Sequence, residues 1–146
     1  MSRANNEPPE TIRIGLIAEG VEAERYAAAL RGCPAFDWCA QAGMRQSDAL
    51  DGVAWYDDTR VFFEQSGVEA VVLALSTRAG VELAADAARG GLHVWRPPPL
   101  GRDFAEAVQV ADFAREEAVC YRVGSWWSHV ADSIRAALPD GAAAAP

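Results

Sequence analysis

The stretch Glu69–Leu75, EAVVLAL, constrains the fold most. It is continuously apolar, partly β-branched and too short for a helix. Strands covered on both faces have this character, because neither face meets water. A second such run, IRIGLIA, lies at 12–18. Helix-forming segments follow both runs: EAERYAAALRG at 22–32 and AGVELAADAARG at 79–90, the latter closed by Gly90-Gly91.

The same alternation continues elsewhere. Strands are expected at 36–42, 53–55, 92–95 and 119–124. Asp57 or Asp58 offers an N-cap to a helix over 59–66. An amphipathic pattern built on Phe104, Ala107, Val108, Val110, Ala111 and Phe113 predicts a helix over 103–118, and Ser128 caps a last one over 128–138. Strands that alternate with helices require parallel crossovers. The expected fold class is therefore α/β: a Rossmann-type doubly wound, mainly parallel sheet with helices on both faces. It spans 12–138, with a flexible segment at 1–11 and a disordered tail at 139–146.

Composition narrows the function. A chain of 146 residues suits one domain with one core. Its net charge is −8 and its basic residues, all arginine, are scattered. Nucleic acid and anionic membrane are therefore excluded as main partners, since each needs a clustered basic face. No apolar run reaches the ~20 residues of a bilayer span. Cys33, Cys39 and Cys120 follow no CxxC or metal-like spacing and read as reduced, partly buried thiols of a cytoplasmic protein.

The stretches VEAVVLALSTRAGVELAADAARGGLHV and PPPLGRDFAEAVQVADFAREEAV carry a family resemblance. Together with the order of elements, they resemble the N-terminal NAD(P)-binding domain of the Gfo/Idh/MocA oxidoreductases. That family reads D-x-V-x-V-A-T-P, a helix, then G-K-H-V-x-x-E-K-P-L-A and a long helix. The resemblance covers about residues 12–138 and implies nucleotide binding at the carboxyl ends of the strands. It also implies a second, substrate-binding domain, which the sequence stops short of.

Loop by loop, the residues placed on the cofactor by this resemblance depart from the family. The G-x-G-x-x-G/A turn corresponds to Ala18-Glu19-Gly20-Val21-Glu22-Ala23. Gly20 and Ala23 match, whereas Ala18 replaces a glycine, and Glu19, Glu22 and Glu24 put negative charge beside an anion site. The plain alternative is a strand-to-helix turn whose acids favour the helix N-terminus. The ribose-binding acid corresponds to Gly43, with Arg45 nearby as a candidate for a 2′-phosphate or simply a surface arginine. Ser76, Thr77 and Arg78 follow the fourth strand; Ser76 and Thr77 read first as helix caps. Gly80 stands at the family's histidine. The family's Glu-Lys pair corresponds to Pro97-Pro98, so the lysine position is Pro98. Proline donates no proton, and Arg96 beside it stays protonated. His93 and His129 read as structural.

The leading expectation is a catalytically inactive domain, a pseudoenzyme of this family with a binding or assembly role and no or weak NAD(P) binding. A homo-oligomer or protein partner would use Trp126 and Trp127. A Glu19 ion pair with Arg78 or Arg96 would fill the old cleft. Two alternatives stay open. One is an NAD(P)-binding oxidoreductase subunit that needs a separate substrate domain. The other is a small-anion or sugar-phosphate module using Arg78, Arg96 and Arg102.

Overall fold

A computed structural model describes residues 11–43 and 52–124. The elements run β1 (Ile12–Ala18), α1 (Val21–Gly32), β2 (Phe36–Ala42), β3 (Ala54–Tyr56), α2 (Thr59–Gln65), β4 (Ala70–Ala74), α3 (Thr77–Arg89), β5 (His93–Arg96), α4 (Phe104–Glu116) and β6 (Tyr121–Val123). The strands form one sheet in the order β3-β2-β1-β4-β5-β6. Every pairing is parallel. The expected sheet was mainly parallel; among the described residues it is wholly so. The chain reverses direction across the sheet between β1 and β4, where ligand crevices open in doubly wound folds.

The two-residue period of β4 divides the core. Val71 and Leu73 pack with Ile17, Val94, Phe62 of α2 and Ala84 and Ala87 of α3. Val72 and Ala74 pack with Leu16, Ala18, Trp38 and Ala23, Ala27 and Leu30 of α1. Helices thus cover both faces, and both faces of β1 and β4 are dry. Small residues let α1 and α3 lie close to the strands. Gly15 permits the tightest approach, since a Cβ there would meet Phe62 Cζ at 2.3 Å.

Most element bounds agree with the sequence reading to within two residues. Asp58, not Asp57, caps α2: its carboxylate accepts from Arg60 N at 2.7 Å and Val61 N at 3.2 Å. α3 begins two residues earlier than its apolar pattern suggested, because its first turn, Thr77-Arg78, is polar and exposed on one side. The strand expected over 119–124 contracts to three residues. Cys120 is exposed rather than partly buried, and all three cysteines are free. The expected lead-in, the segment carrying Arg45, and everything from Ser125 onward, including Trp126, Trp127 and His129, lie outside the described residues. Among the described residues no helix is long and apolar enough to cross a membrane.

Candidate functional site

Parallel strands place the loops after β1, β2, β4 and β5 along one edge. The structure brings the first three together. Glu19 N–H donates to Ala74 O at 3.2 Å, fixing the turn after β1 against the end of β4. Gly43 follows β2 with φ +73, and a Cβ there would lie 3.2 Å from Ile17 Cγ2 and 3.4 Å from Ala18 O. The residue at 43 is thus glycine because the backbone is left-handed and pressed on β1.

At the first turn, Gly20 has φ +65, and a Cβ there would meet nothing within 4 Å. Gly20 is the N-cap of α1 and its N–H groups receive no side-chain cap. Ala23 is buried in the core against β1 and β4. Backbone access and close helix packing, the two needs of a pyrophosphate turn, are therefore met. The charge is not: Glu19 is exposed and forms no ion pair among the described residues, while Glu22 is held by Arg25 at 3.1 Å. At the position where the resemblance puts the ribose-binding acid, Gly43 offers no carboxylate, and where it puts the Glu-Lys pair, Pro97 and Pro98 offer no side-chain donor. No reaction step through a bound nucleotide follows from such a site.

Ser76 occupies the N-cap position of α3, but its side chain makes no capping bond, and Thr77 is the first helical residue. The capping role expected of these hydroxyls is therefore not observed.

Arg96 is the largest departure from expectation. It ends β5 on the α3 side, is only 1% exposed, and turns inward. Nη1 donates to Tyr121 Oη and Nη2 to Thr77 O, both at 3.4 Å; Nε has no partner. Gly80 makes the room, since a Cβ at that position would lie 2.8 Å from Nη2 and 3.0 Å from Cζ. Burial raises the Tyr121 phenol above its ordinary value, and the Arg96 hydrogen bond opposes the rise. The expected Glu19 ion pair is absent for a simple reason. Arg78 pairs with Glu82 one helical turn away at 3.3 Å, and Arg96 is spent on α3 and β6.

Nor do the three arginines converge. Arg102 grips Glu106 through Nε and Nη2, the latter at 2.7 Å, and Glu106 also accepts from Arg102 N–H. These bonds hold the Glu106 carboxyl below its usual range; the charge of Arg96 adds to the effect. Asp103 caps α4 through Glu106 N at 2.8 Å. The turn before α4 is thus closed on itself. His93 Nδ1 accepts from Cys120 N–H at 3.0 Å and ties the start of β6 to β5. Sequence reasoning missed Tyr121 and the Gly80–Arg96 fit. A glycine inside a helix, Gly80, was the available signal of close approach.

No family model matches the chain, and no curated protein matches it. Solved structures do. An apo scyllo-inositol dehydrogenase from Lactobacillus casei superposes with a TM-score of 0.76 at 19% identity, over 90% of this chain and 41% of that one. A protein described as an oxidoreductase from Magnetospirillum magnetotacticum gives 0.70 at 26% identity, over 78% and 38%. Biliverdin reductase from Synechocystis, solved with biliverdin and NADP+, gives 0.68 at 21%, over 77% and 37%. The chain spans about two fifths of the length of these structures. The class is therefore a Rossmann-type dinucleotide-binding fold. More particularly, the same fold occurs in part of a D-galactose-1-dehydrogenase from Rhizobium etli and of a myo-inositol 2-dehydrogenase from Lactobacillus plantarum, each 19% identical to this chain.

Proposed function

We propose that this chain is a catalytically inactive domain of the Gfo/Idh/MocA type that works by binding or assembly. One observation carries the reading. Where the family resemblance puts a proton-donating lysine, the chain has Pro98, and the nearest cation, Arg96, is buried away from the edge. A guanidinium stays protonated at working pH, so even a freed Arg96 would be a poor acid or base. Gly43 adds to the case by leaving the ribose without a carboxylate.

Titration of the full chain with NADH and NADPH, followed by tryptophan quenching, tests the reading. No saturable quenching is expected. Saturable micromolar binding would overturn the claim that the cleft is lost. Assembly is tested by light scattering of wild type and of Trp126→Ala/Trp127→Ala. A concentration-dependent oligomer that the double variant dissolves is the expected result. An unchanged monomer would remove the assembly arm.

A second reading is favoured by the first turn alone. Gly20 and Ala23 still permit a pyrophosphate to approach the N-terminus of α1, which suits an NAD(P)-binding subunit completed by a substrate domain on another chain. In that case Gly20→Val would abolish nucleotide quenching.

A further inference from the structure

A parallel sheet is stable when helices cover both of its faces, because neither face is built to meet water. Here the cover is unequal. α2 and α3 lie on the face of Phe62, Val71 and Val94, with α4 packed against α3. On the opposite face, α1 is the one helix among the described residues, and it lies over β1, β2 and β4. It meets β5 through Tyr26, whose ring approaches Trp95 edge-on with centroids 5.1 Å apart. Beyond that contact the face carries Trp95, which is half-buried, and Arg122, its register partner in β6, which is exposed. No helix among the described residues covers β5 and β6 here.

The chain leaves the described residues on this same side. Gly124 N–H donates to Arg96 O at 3.1 Å, so β6 stays paired with β5 to its end. A Cβ on Gly124 would lie 3.3 Å from both Cζ2 and Nε1 of Trp95, so the backbone runs directly beside the indole. The sequence that follows has the stripe of a half-buried helix. Within 128–138, Val130, Ile134, Ala137 and Leu138 recur at i, i+4, i+7 and i+8, while His129, Asp132 and Arg135 fall elsewhere on the turn. Such a helix measures about 16 Å, and a five-residue strand such as β4 measures roughly the same. Residues 125–127 allow a reach on the order of 10–14 Å, so the helix must start beside the end of β6. The other face of β6 is already taken, since Phe113 of α4 shares a groove with Tyr121 there.

We propose that residues 128–138 dock as a helix across β5 and β6 on the Trp95 face, beside α1, with the Val130–Ile134–Leu138 stripe against the sheet. The occupant is this segment rather than a second copy of the chain, because a tether of three residues holds it at millimolar effective concentration or above. Trp126 and Trp127 lie outside the stripe, so the assembly reading keeps its own test.

Limited proteolysis of the full chain tests the docking. Arg135 is the one basic residue in 125–146, so trypsin reports on the segment through the peptide that begins at Ala136. Cleavage follows the population of the undocked form. Wild type should be cut slowly there. Val130→Asp and Ile134→Asp should each raise the initial rate about tenfold or more, as expected from losing one buried aliphatic side chain. His129→Asp, with the same added charge off the stripe, should stay near wild type. Trp95→Ala, in the sheet itself, should raise the rate at Arg135 as the stripe variants do. If Trp95→Ala fails to fold, hydrogen exchange in Ile134→Asp decides: the amides of 121–124 should exchange faster than in wild type while those of α3 do not change. Equal rates in wild type and the stripe variants, or a folded Trp95→Ala cut at the wild-type rate, overturn the proposal. Protection that grows with protein concentration also overturns it, since a second copy would then supply the cover. NADH binding in a separate titration would overturn the inactive-domain reading and leave this one standing.

Discussion

Gly15→Ala places a methyl group where the Phe62 ring already lies. The added Cβ would be 2.3 Å from Phe62 Cζ and 3.0 Å from Cε2. Carbon atoms pack best at roughly 3.5–4.0 Å, so ring and strand must separate by more than about 1 Å. Phe62 has little room for that. It is fully buried, with edge-to-face neighbours Tyr56 at 5.7 Å and Phe63 at 5.5 Å. Overpacking a closed core costs about 1–3 kcal/mol, and this confinement points to the upper end. About 3 kcal/mol corresponds to a loss on the order of 10 °C in Tm for a domain of this size. Thermal and urea unfolding followed by circular dichroism measure it. Phe62→Leu in the same background removes the offending ring atoms. The double variant should then be more stable than the two single losses predict by about 1 kcal/mol or more. A Gly15→Ala protein within about 2 °C of wild type, or strict additivity, would refute the packing argument.

Three further outcomes follow from the same geometry. Asp58→Ala removes the acceptor of two N–H groups at the start of α2 and should lower stability by about 1 kcal/mol in urea denaturation, while Asp57→Ala should change little. At alkaline pH, burial raises the phenols of both Tyr26 and Tyr121 above their ordinary value of 10.0; Glu22 adds to the rise at Tyr26, and Arg96 opposes it at Tyr121. The unfolded chain then loses these protons first. The stability they contribute is intact below the unfolded value and is lost as pH climbs through the folded one, so urea midpoints should fall above about pH 10 and Tyr26→Phe/Tyr121→Phe should flatten the fall. Gly43→Asp restores a carboxylate at the end of β2, but on a backbone with φ +73 against Ile17 and Ala18. It should cost roughly 1–3 kcal/mol in strain and give no gain in NADH quenching; a gain would show that only the missing acid keeps nucleotide out.

The sequence by itself determined the architecture. The run at 70–75 and the run at 14–18 are apolar on both faces, the pattern of a strand covered by helices on each side. Glycine marked helix limits for local reasons, and the start of α2 was legible as Asp57 or Asp58, with the structure choosing Asp58. The family resemblance located the loops and implies that Pro98 stands at the lysine position, since that is a matter of residue identity. Side-chain direction was not legible. Arg96 read as an edge residue, yet it faces inward, because the missing side chain of Gly80, sixteen positions earlier, leaves space beside α3. Gly43 read as a lost acid. The structure gives it a positive reason, a left-handed turn pressed on β1. Ser76 read as a cap from its residue type, but the cap bond depends on a rotamer that no local pattern fixes. The inward turn of Arg96 and the packing of Gly43 depend on contacts between residues far apart in the chain, and such contacts are settled only when the sheet brings them together.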